Sequence, residues 1–270
     1  MIVVTGATGN VGQPLVRALV AAGEQVTAVS RRATEVPGAR VHQADLAAPR
    51  SLIPALADAK VVFLLTSGDF MGAGGDLASV LSVVRDSGAE RVVLLSSQGV
   101  GTGHHPPMLE DAVRGSGLAW TVLRPGGFHS NTLQWAESVR ARREVAAPFG
   151  DVALPTIDPT DIAAVAAVTL RDPAHAGEIY ELTGPAPISP RAQAAAIAAA
   201  VGEPVRFVSQ ARTEAKAAML RYMPEQVADS TLELLSSPAL DRVSPVVEQL
   251  LGRPARPFAE WATENVAAFK

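Results

Sequence analysis

Three glycines stand three residues apart in the run Thr5-Gly6-Ala7-Thr8-Gly9-Asn10-Val11-Gly12. A glycine can turn a chain sharply out of a strand, leave space for a ligand's phosphates, and let a helix pack close to a sheet. The chemistry this implies is pyrophosphate binding by backbone N–H groups at a helix N-terminus, where the helix dipole favours an anion. The plainer alternative is a tight turn that binds nothing. A second group, Ser30-Arg31-Arg32, follows. An NAD(H) site usually places an acid about 20 residues past the glycines, to bond the ribose 2′-hydroxyl. Here the next acid is Glu35. Two guanidiniums and a hydroxyl suit a 2′-phosphate, which a carboxylate would repel. The pattern favours NADP(H) over NAD(H), although either arginine alone also reads as a solvated strand end.

Other reactive side chains cluster between residues 96 and 135. Ser96 and Ser97 close an apolar run, His104 and His105 follow in a Pro-rich loop, and Glu110-Asp111 comes next. Histidine transfers protons near neutral pH, so His104, His105 and His129 are candidate proton carriers, with Ser96 as a further polar partner. Each histidine also reads as an ordinary loop residue, and His42 and His175 as surface ones. Glu110 reads as a residue that caps or orients the loop. Asn131 either bonds a substrate or caps the helix after Phe128. Phe128 and Trp135 either wall an apolar pocket or belong to the core; aromatics are only 4% of the chain, which favours the pocket for two so near one loop. Adjacent histidines rarely chelate one ion and no carboxylate spacing supports them, so no metal is expected.

The elements that must position these groups can be read from apolar periodicity. Residues 2–5 are a β-branched strand, 14–22 a helix with Leu15, Val16, Leu19 and Val20 at helical spacing, and 25–29 a second strand. Further strands are expected at 40–43, 61–66, 91–96, 119–123, 178–182 and 205–208, and helices at 51–57, 76–87, 108–114, 131–143, from about 159 to 170, and 189–201. After 213 the chain reads as mostly helical, broken by Pro224, Pro238, Pro245, Pro254 and Pro257. Alternating strands and helices imply an α/β fold, a doubly wound parallel sheet, with a smaller, mostly helical C-terminal lobe. The expected division is a dinucleotide domain at 1–150, which takes back the helix and strand near 158–183, and a substrate lobe at 184–270. In such sheets ligands bind across the carboxyl ends of the strands, so each loop after a strand is a candidate wall.

Composition narrows the classes. With 270 residues, 48% of them hydrophobic, the chain can bury a large core. A formal net charge of −4 and no basic run longer than two residues argue against nucleic acid. The absence of cysteine excludes disulfides, thiolate catalysis and zinc–thiolate sites, and fits a cytoplasmic setting. No apolar run is long enough to span a membrane, and a strand begins at residue 2 where a signal peptide would have a basic start. The expected partner is a small-molecule substrate, with the chain a monomer or homodimer.

Residues 5–12, Asp45-Leu46, Leu95-Ser96-Ser97 and Leu123-Arg124-Pro125-Gly126-Gly127-Phe128 together resemble the NmrA-like branch of the atypical short-chain dehydrogenases. Asp158-Pro159-Thr160-Asp161-Ile162-Ala163 and Tyr180-Glu181-Leu182-Thr183-Gly184 add to the resemblance, which is strong over 1–185 and weaker beyond. The chain looks most like the bacterial NADPH-dependent quinone reductases of that branch. The resemblance implies a Rossmann-like sheet and a cofactor held by Gly6, Thr8, Gly9, Asn10, Val11 and Gly12. It implies Arg31 and Arg32 at the 2′-phosphate, Asp45 and Leu46 beside adenine, and Thr66, Ser67 and Gly68 along the nicotinamide ribose. Ser96 and Ser97 fall beside the nicotinamide, and Pro125 and Phe128 border nicotinamide and substrate.

Ordinary short-chain dehydrogenases pair a tyrosine with a lysine four residues later, and the lysine lowers the tyrosine pKa. Neither Tyr180 nor Tyr222 has that lysine; the lysines are Lys60, Lys216 and Lys270. The similar reductases carry a Glu-Lys pair near 110, where this chain reads Glu110-Asp111. A ketone would become an alkoxide and need a strong proton source. A quinone becomes a weakly basic hydroquinone anion and needs mainly positioning beside the nicotinamide. The expectation is an NADPH-dependent oxidoreductase for a quinone-like or conjugated acceptor, working without a Tyr–Lys pair, with Ser96, His104 and His129 as polar partners. The alternative is a non-catalytic NADP(H)-binding redox sensor that acts through a protein partner.

Overall fold

The structure, a computed structural model, describes residues 1–32, 34–72, 74–221, 224–237 and 240–270. Tyr222 and Pro238 lie outside the described residues. Seven strands form one sheet: β1 (Ile2–Thr5), β2 (Val26–Ser30), β3 (Arg40–Gln43), β4 (Val61–Leu64), β5 (Arg91–Leu95), β6 (Ala119–Pro125) and, after β7 (Glu144–Ala147), β8 (Ile179–Leu182). Their spatial order is β3-β2-β1-β4-β5-β6-β8. The pairs β1–β2, β1–β4, β2–β3, β4–β5 and β5–β6 are parallel. The doubly wound α/β sheet expected from the sequence is therefore present. The order reverses at β1, so the crevice between the ends of β1 and β4 is the topological switch point.

Strands β1, β2 and β4 are buried at every position, as parallel strands covered on both faces should be. On one face Val62, Leu64, Val92, Leu94 and Val122 join Leu52 and Leu56, Leu77 to Val84, and Val113 in a single core. On the other, the helix Gly12–Ala21 packs against the helix Pro159–Arg171, which contacts β4 and β5. Ala163, Ala166 and Ala167 of the latter are buried, and their small side chains let the helices lie close. The segment Pro49–Leu56 is a 3₁₀ helix, where an α-helix was expected over 51–57. Pro54 inside it has no N–H to continue an α-helical ladder.

The chain divides into two compact units. The first comprises Met1–Arg124 and Pro159–Glu181, the second Pro125–Asp158 and Leu182–Lys270. Residues 125–150, assigned to the dinucleotide domain on sequence, thus group with the second unit. Strand β7 pairs in parallel with β9 (Arg206–Ser209), and Ala136, Val139 and Val145 share a core with Ile197, Phe258, Trp261 and Phe269. The sequence carried no expectation of β7, because its partner lies some 60 residues on and no local signal marks it. The expected helix over 131–143 begins as a 3₁₀ segment, His129–Trp135, continues as Ala136–Arg142, and ends where Arg143 turns left-handed at φ 50°.

Thr5 ties the switch point together. It is buried at 2% exposure; its Oγ1 donates to the Phe63 carbonyl at 3.1 Å and accepts the Leu65 N–H at 2.9 Å. Thr5→Val keeps the shape and leaves the Leu65 N–H without this partner. Urea unfolding should show a loss of about 1–3 kcal/mol, the cost of an unsatisfied buried donor.

Candidate active site

The glycine loop is shaped by what it has no room for. Gly6 adopts φ +63°, a left-handed conformation that glycine tolerates, and turns the chain out of β1. A Cβ on Gly12 would lie 2.1 Å from the Gly6 carbonyl oxygen and 2.8 Å from Ala7 Cα. The loop is laced by Gly9 N–H to Gly6 O at 3.0 Å and Ala7 N–H to Val29 O at 3.1 Å. Thr8, Gly9 and Asn10 are exposed, while Val11 and Gly12 are buried. The following helix has neither a side-chain cap nor an acid in its first turn. An uncapped helix start with an exposed, side-chain-poor rim fits a dinucleotide's pyrophosphate.

The other loops of the first unit leave the same edge of the sheet, because their strands are parallel. The turn after β2 is clamped from two sides. Ser30 Oγ donates to the Arg32 carbonyl, and Gln43 Nε2 donates to the Arg31 carbonyl at 3.0 Å. Both arginine side chains are exposed, which suits an incoming phosphate. After β3, Asp45 Oδ1 accepts the Ala47 N–H at 2.9 Å, and Leu46 is half-buried. After β4, Ser67 Oγ accepts the Phe70 N–H at 3.2 Å; Thr66 is half-buried and Gly68 exposed.

Beyond β5 an ion cluster forms around one buried carboxylate. Glu110, in the helix Met108–Arg114, has no exposed surface. Its Oε1 accepts from Ser96 Oγ at 2.7 Å and from Arg124 Nε at 2.8 Å. Its Oε2 accepts from Arg124 Nη2 at 2.7 Å and Arg114 Nη2 at 3.0 Å. Burial pushes this carboxyl up, but the hydrogen bonds from Arg124 and Ser96 and the charges of Arg124 and Arg114 outweigh it, so its pKa lies below the usual value. Arg124 is correspondingly raised, chiefly by its hydrogen bond to Glu110. The arrangement fixes the Ser96 hydroxyl as a donor to Glu110. The sequence singled out Ser96 and noted Glu110 but gave Arg114 and Arg124 no role; Arg114 lies one helical turn from Glu110, a spacing the sequence offered, whereas Arg124 is brought there by the fold.

Of the two adjacent histidines, His105 reaches the serine pair, its Nδ1 3.0 Å from Ser97 Oγ. His104 instead bonds Thr102 Oγ1 at 2.8 Å. His129 departs further from expectation. It was read as an open-loop proton carrier, yet it is buried at 1% exposure in the second unit. Its Nε2 lies 2.8 Å from the Thr156 carbonyl, and its ring packs edge-on against Phe258 and Trp261. The second unit also holds Pro125, buried, and Phe128, half-buried. Asn131 is exposed and lies within the 3₁₀ segment, so it is not the cap of that segment; Phe128 takes that position. Trp135 packs against the second unit's core. Among the described residues no helix is long and apolar enough to cross a membrane, and no group of three His, Asp or Glu is placed to hold a metal ion.

Two outcomes follow from this geometry. Gly12→Ala forces its methyl into the Gly6 carbonyl, so NADPH affinity by fluorescence titration should fall at least tenfold, equivalent to about 1.4 kcal/mol. Glu110→Gln leaves Arg124 and Arg114 facing a neutral amide; because both guanidiniums keep some solvent, the loss should be about 1–3 kcal/mol at neutral pH. The wild-type carboxylate's contribution is present above its ordinary pKa of 4.5 and disappears as pH falls through the lower folded value. Urea unfolding across that acid range should show the gap between the two proteins closing.

A family model described as NAD(P)H-binding matches residues 6–173. Over its full length the chain is 35% identical to the (4-alkanoyl-5-oxo-2,5-dihydrofuran-3-yl)methyl phosphate reductase of Streptomyces griseus, spanning 99% of that protein. It is also 35% identical to the NAD(P)H azoreductase of Xenophilus azovorans, covering 100% of this chain and 99% of the relative. Among solved structures, the NADPH-dependent quinone oxidoreductase of Escherichia coli complexed with NADPH has the same fold, with a TM-score of 0.81 at 24% identity over 98% of this chain and 99% of that one. The reductase resemblance read from residues 1–185 is borne out by these relatives.

Proposed function

Because this chain belongs to the NAD(P)H-binding family, we propose that it is an NADPH-dependent reductase of small conjugated acceptors: a quinone-like ring, an azo bond or an activated carbon–carbon double bond. The observation that carries this reading is the cradle of Gly6, Gly9 and Gly12, set at the switch point and followed on the next strand by the clamped Arg31-Arg32 turn. When bound, the dinucleotide supplies the hydride. The backbone N–H groups at the start of the helix Gly12–Ala21 hold its pyrophosphate, with Thr8, Asn10 and Val11 on the rim. Arg31 and Arg32 pair with the 2′-phosphate. Asp45 and Leu46 border the adenine, Thr66, Ser67 and Gly68 follow the nicotinamide ribose, and Ser97 lies at the reacting end. Pro125, Phe128, Asn131 and Trp135, in the second unit, are the candidates for contact with substrate.

The acceptor class follows from what the chain lacks. Tyr180 has no lysine four residues on, and its hydroxyl is bonded to His175 Nδ1 at 2.7 Å; burial raises its pKa further. It is therefore a poor proton donor for an alkoxide. The acceptors in the relatives' names, an unsaturated lactone, an azo compound and a quinone, each present a double bond conjugated to a π system. Orientation against the nicotinamide then supplies much of the rate.

The reading is tested by following NADPH absorbance with menadione, methyl red and an unsaturated lactone. Turnover of at least one is expected, and tight NADPH binding with turnover of none would return the chain to the sensor alternative. The cofactor preference has its own test. Arg31→Asp should weaken NADPH binding about 30-fold or more, on the order of 2 kcal/mol for a charge-assisted phosphate contact replaced by repulsion. NADH binding should change by less than about threefold, because it has no 2′-phosphate to lose.

A further inference from the structure

Ser97 and His105 meet in the loop that leaves β5. Ser97 caps the short helix Gln98–Gly101, its Oγ accepting the Gly99 N–H at 3.1 Å. His105 folds back on this turn: its N–H donates to the Gly99 carbonyl at 2.9 Å, and its Nδ1 sits 3.0 Å from Ser97 Oγ. The approach is so close that a Cβ on Gly99 would lie 2.4 Å from His105 Nδ1, so the glycine at this position admits the imidazole. Both Ser97 and His105 are half-buried, shielded but open to a ligand and to solvent protons.

A serine oxygen has two acceptor lone pairs and one proton to give. With His105 protonated, the Gly99 N–H and the Nδ1–H occupy both lone pairs, and the Ser97 proton is left to point away from the loop. With His105 neutral and its proton on Nε2, the Ser97 hydroxyl turns inward to Nδ1. The charge and tautomer of the imidazole therefore decide whether Ser97 offers a proton at the edge of the sheet.

We propose that Ser97 and His105 form a proton relay that serves the azo compounds among these acceptors, whose reduction leaves a basic nitrogen anion. The proposal rests on the reductase reading. An azo acceptor takes a hydride from the reduced dinucleotide on one nitrogen and the Ser97 hydroxyl proton on the other. Its N=N π bond breaks and two N–H bonds form. Ser97 regains a proton from Nδ1 of the His105 imidazolium, which becomes neutral and is reprotonated from water. The two electrons come from the dinucleotide, which is left oxidised. Burial, and next the neighbouring His104, lower the His105 pKa, which makes its imidazolium a readier donor. The groups against the ring, Ser97 and Gly99, are uncharged, and His104 is the titratable neighbour that acts on it.

His105→Asn tests the relay, because an asparagine amide can keep a hydrogen bond to Ser97 Oγ but cannot give up a proton near neutral pH. With methyl red as acceptor, kcat should fall about 100-fold, within the range for a general acid. With menadione it should fall less than about threefold, and NADPH affinity should hold within twofold. The wild-type azo rate should drop as pH rises through the His105 pKa, and the variant should lose that dependence. In the cofactor-free protein, NMR of the imidazole nitrogens should show neutral His105 held with its proton on Nε2, and a tautomer mixture in Ser97→Ala. An asparagine variant with wild-type azo kcat, an equal loss on both acceptors, wild-type turnover of menadione alone, or a tautomer mixture in wild type would each overturn the relay while leaving the reductase reading in place. Wild type that reduces neither acceptor would overturn both.

Discussion

Between the carbonyl of Gly6 and the α-carbon of Gly12 there is no space for a methyl group. That exclusion sets how closely the first helix approaches the first strand, and the rest of the first unit is arranged around it. Helix Gly12–Ala21 brings Leu15, Val16 and Leu19 under the sheet and presses on the alanine-rich helix that closes that face. The rim at Thr8 to Asn10 stays exposed. Thr5, one residue upstream, fastens the strand end to β4, so both walls of the crevice are held in register.

A second constraint governs the reactive end. Glu110 is buried without surface and surrounded by two guanidiniums and a hydroxyl. An isolated carboxylate there would be costly, whereas one with its lone pairs filled is rigid and charged. It anchors the helix Met108–Arg114 to the ends of β5 and β6 and fixes Ser96 in one orientation. Ser96 is thereby committed to Glu110, while Ser97, one residue on, faces His105.

Where an interaction is local, the residues announce it. The glycine spacing, the Arg31-Arg32 turn, the apolar strands and the Ser189-Pro190 start of the helix Pro190–Val201 were all readable, because each is settled within about a dozen residues. Where the partner is distant, the signal vanishes. His129 looked like a loop histidine because Phe258 and Trp261, which bury it, lie some 130 residues further on. The sequence reading named His104 among the polar partners, but nothing local separates it from His105, and it is His105 that the Gly99 turn receives beside Ser97. Strand β7 was invisible for the same reason, since Glu144 to Ala147 becomes a strand only beside β9.

The path of the chain between its two units has a consequence for synthesis. It passes from one unit to the other at Arg124–Pro125, at Asp158–Pro159 and at Glu181–Leu182. A nascent chain that has emerged only to residue 124 holds six strands, but neither the helix Pro159–Arg171 that covers one face nor β8, which flanks β6. Its last strand is an exposed edge and part of its sheet is bare, the state most prone to pair with a neighbour. The first unit becomes whole only after a 34-residue excursion belonging to the other, Pro125–Asp158, has been made. The two units are interleaved along the chain, and the residues that complete the dinucleotide fold follow its glycine signature by some 150 positions.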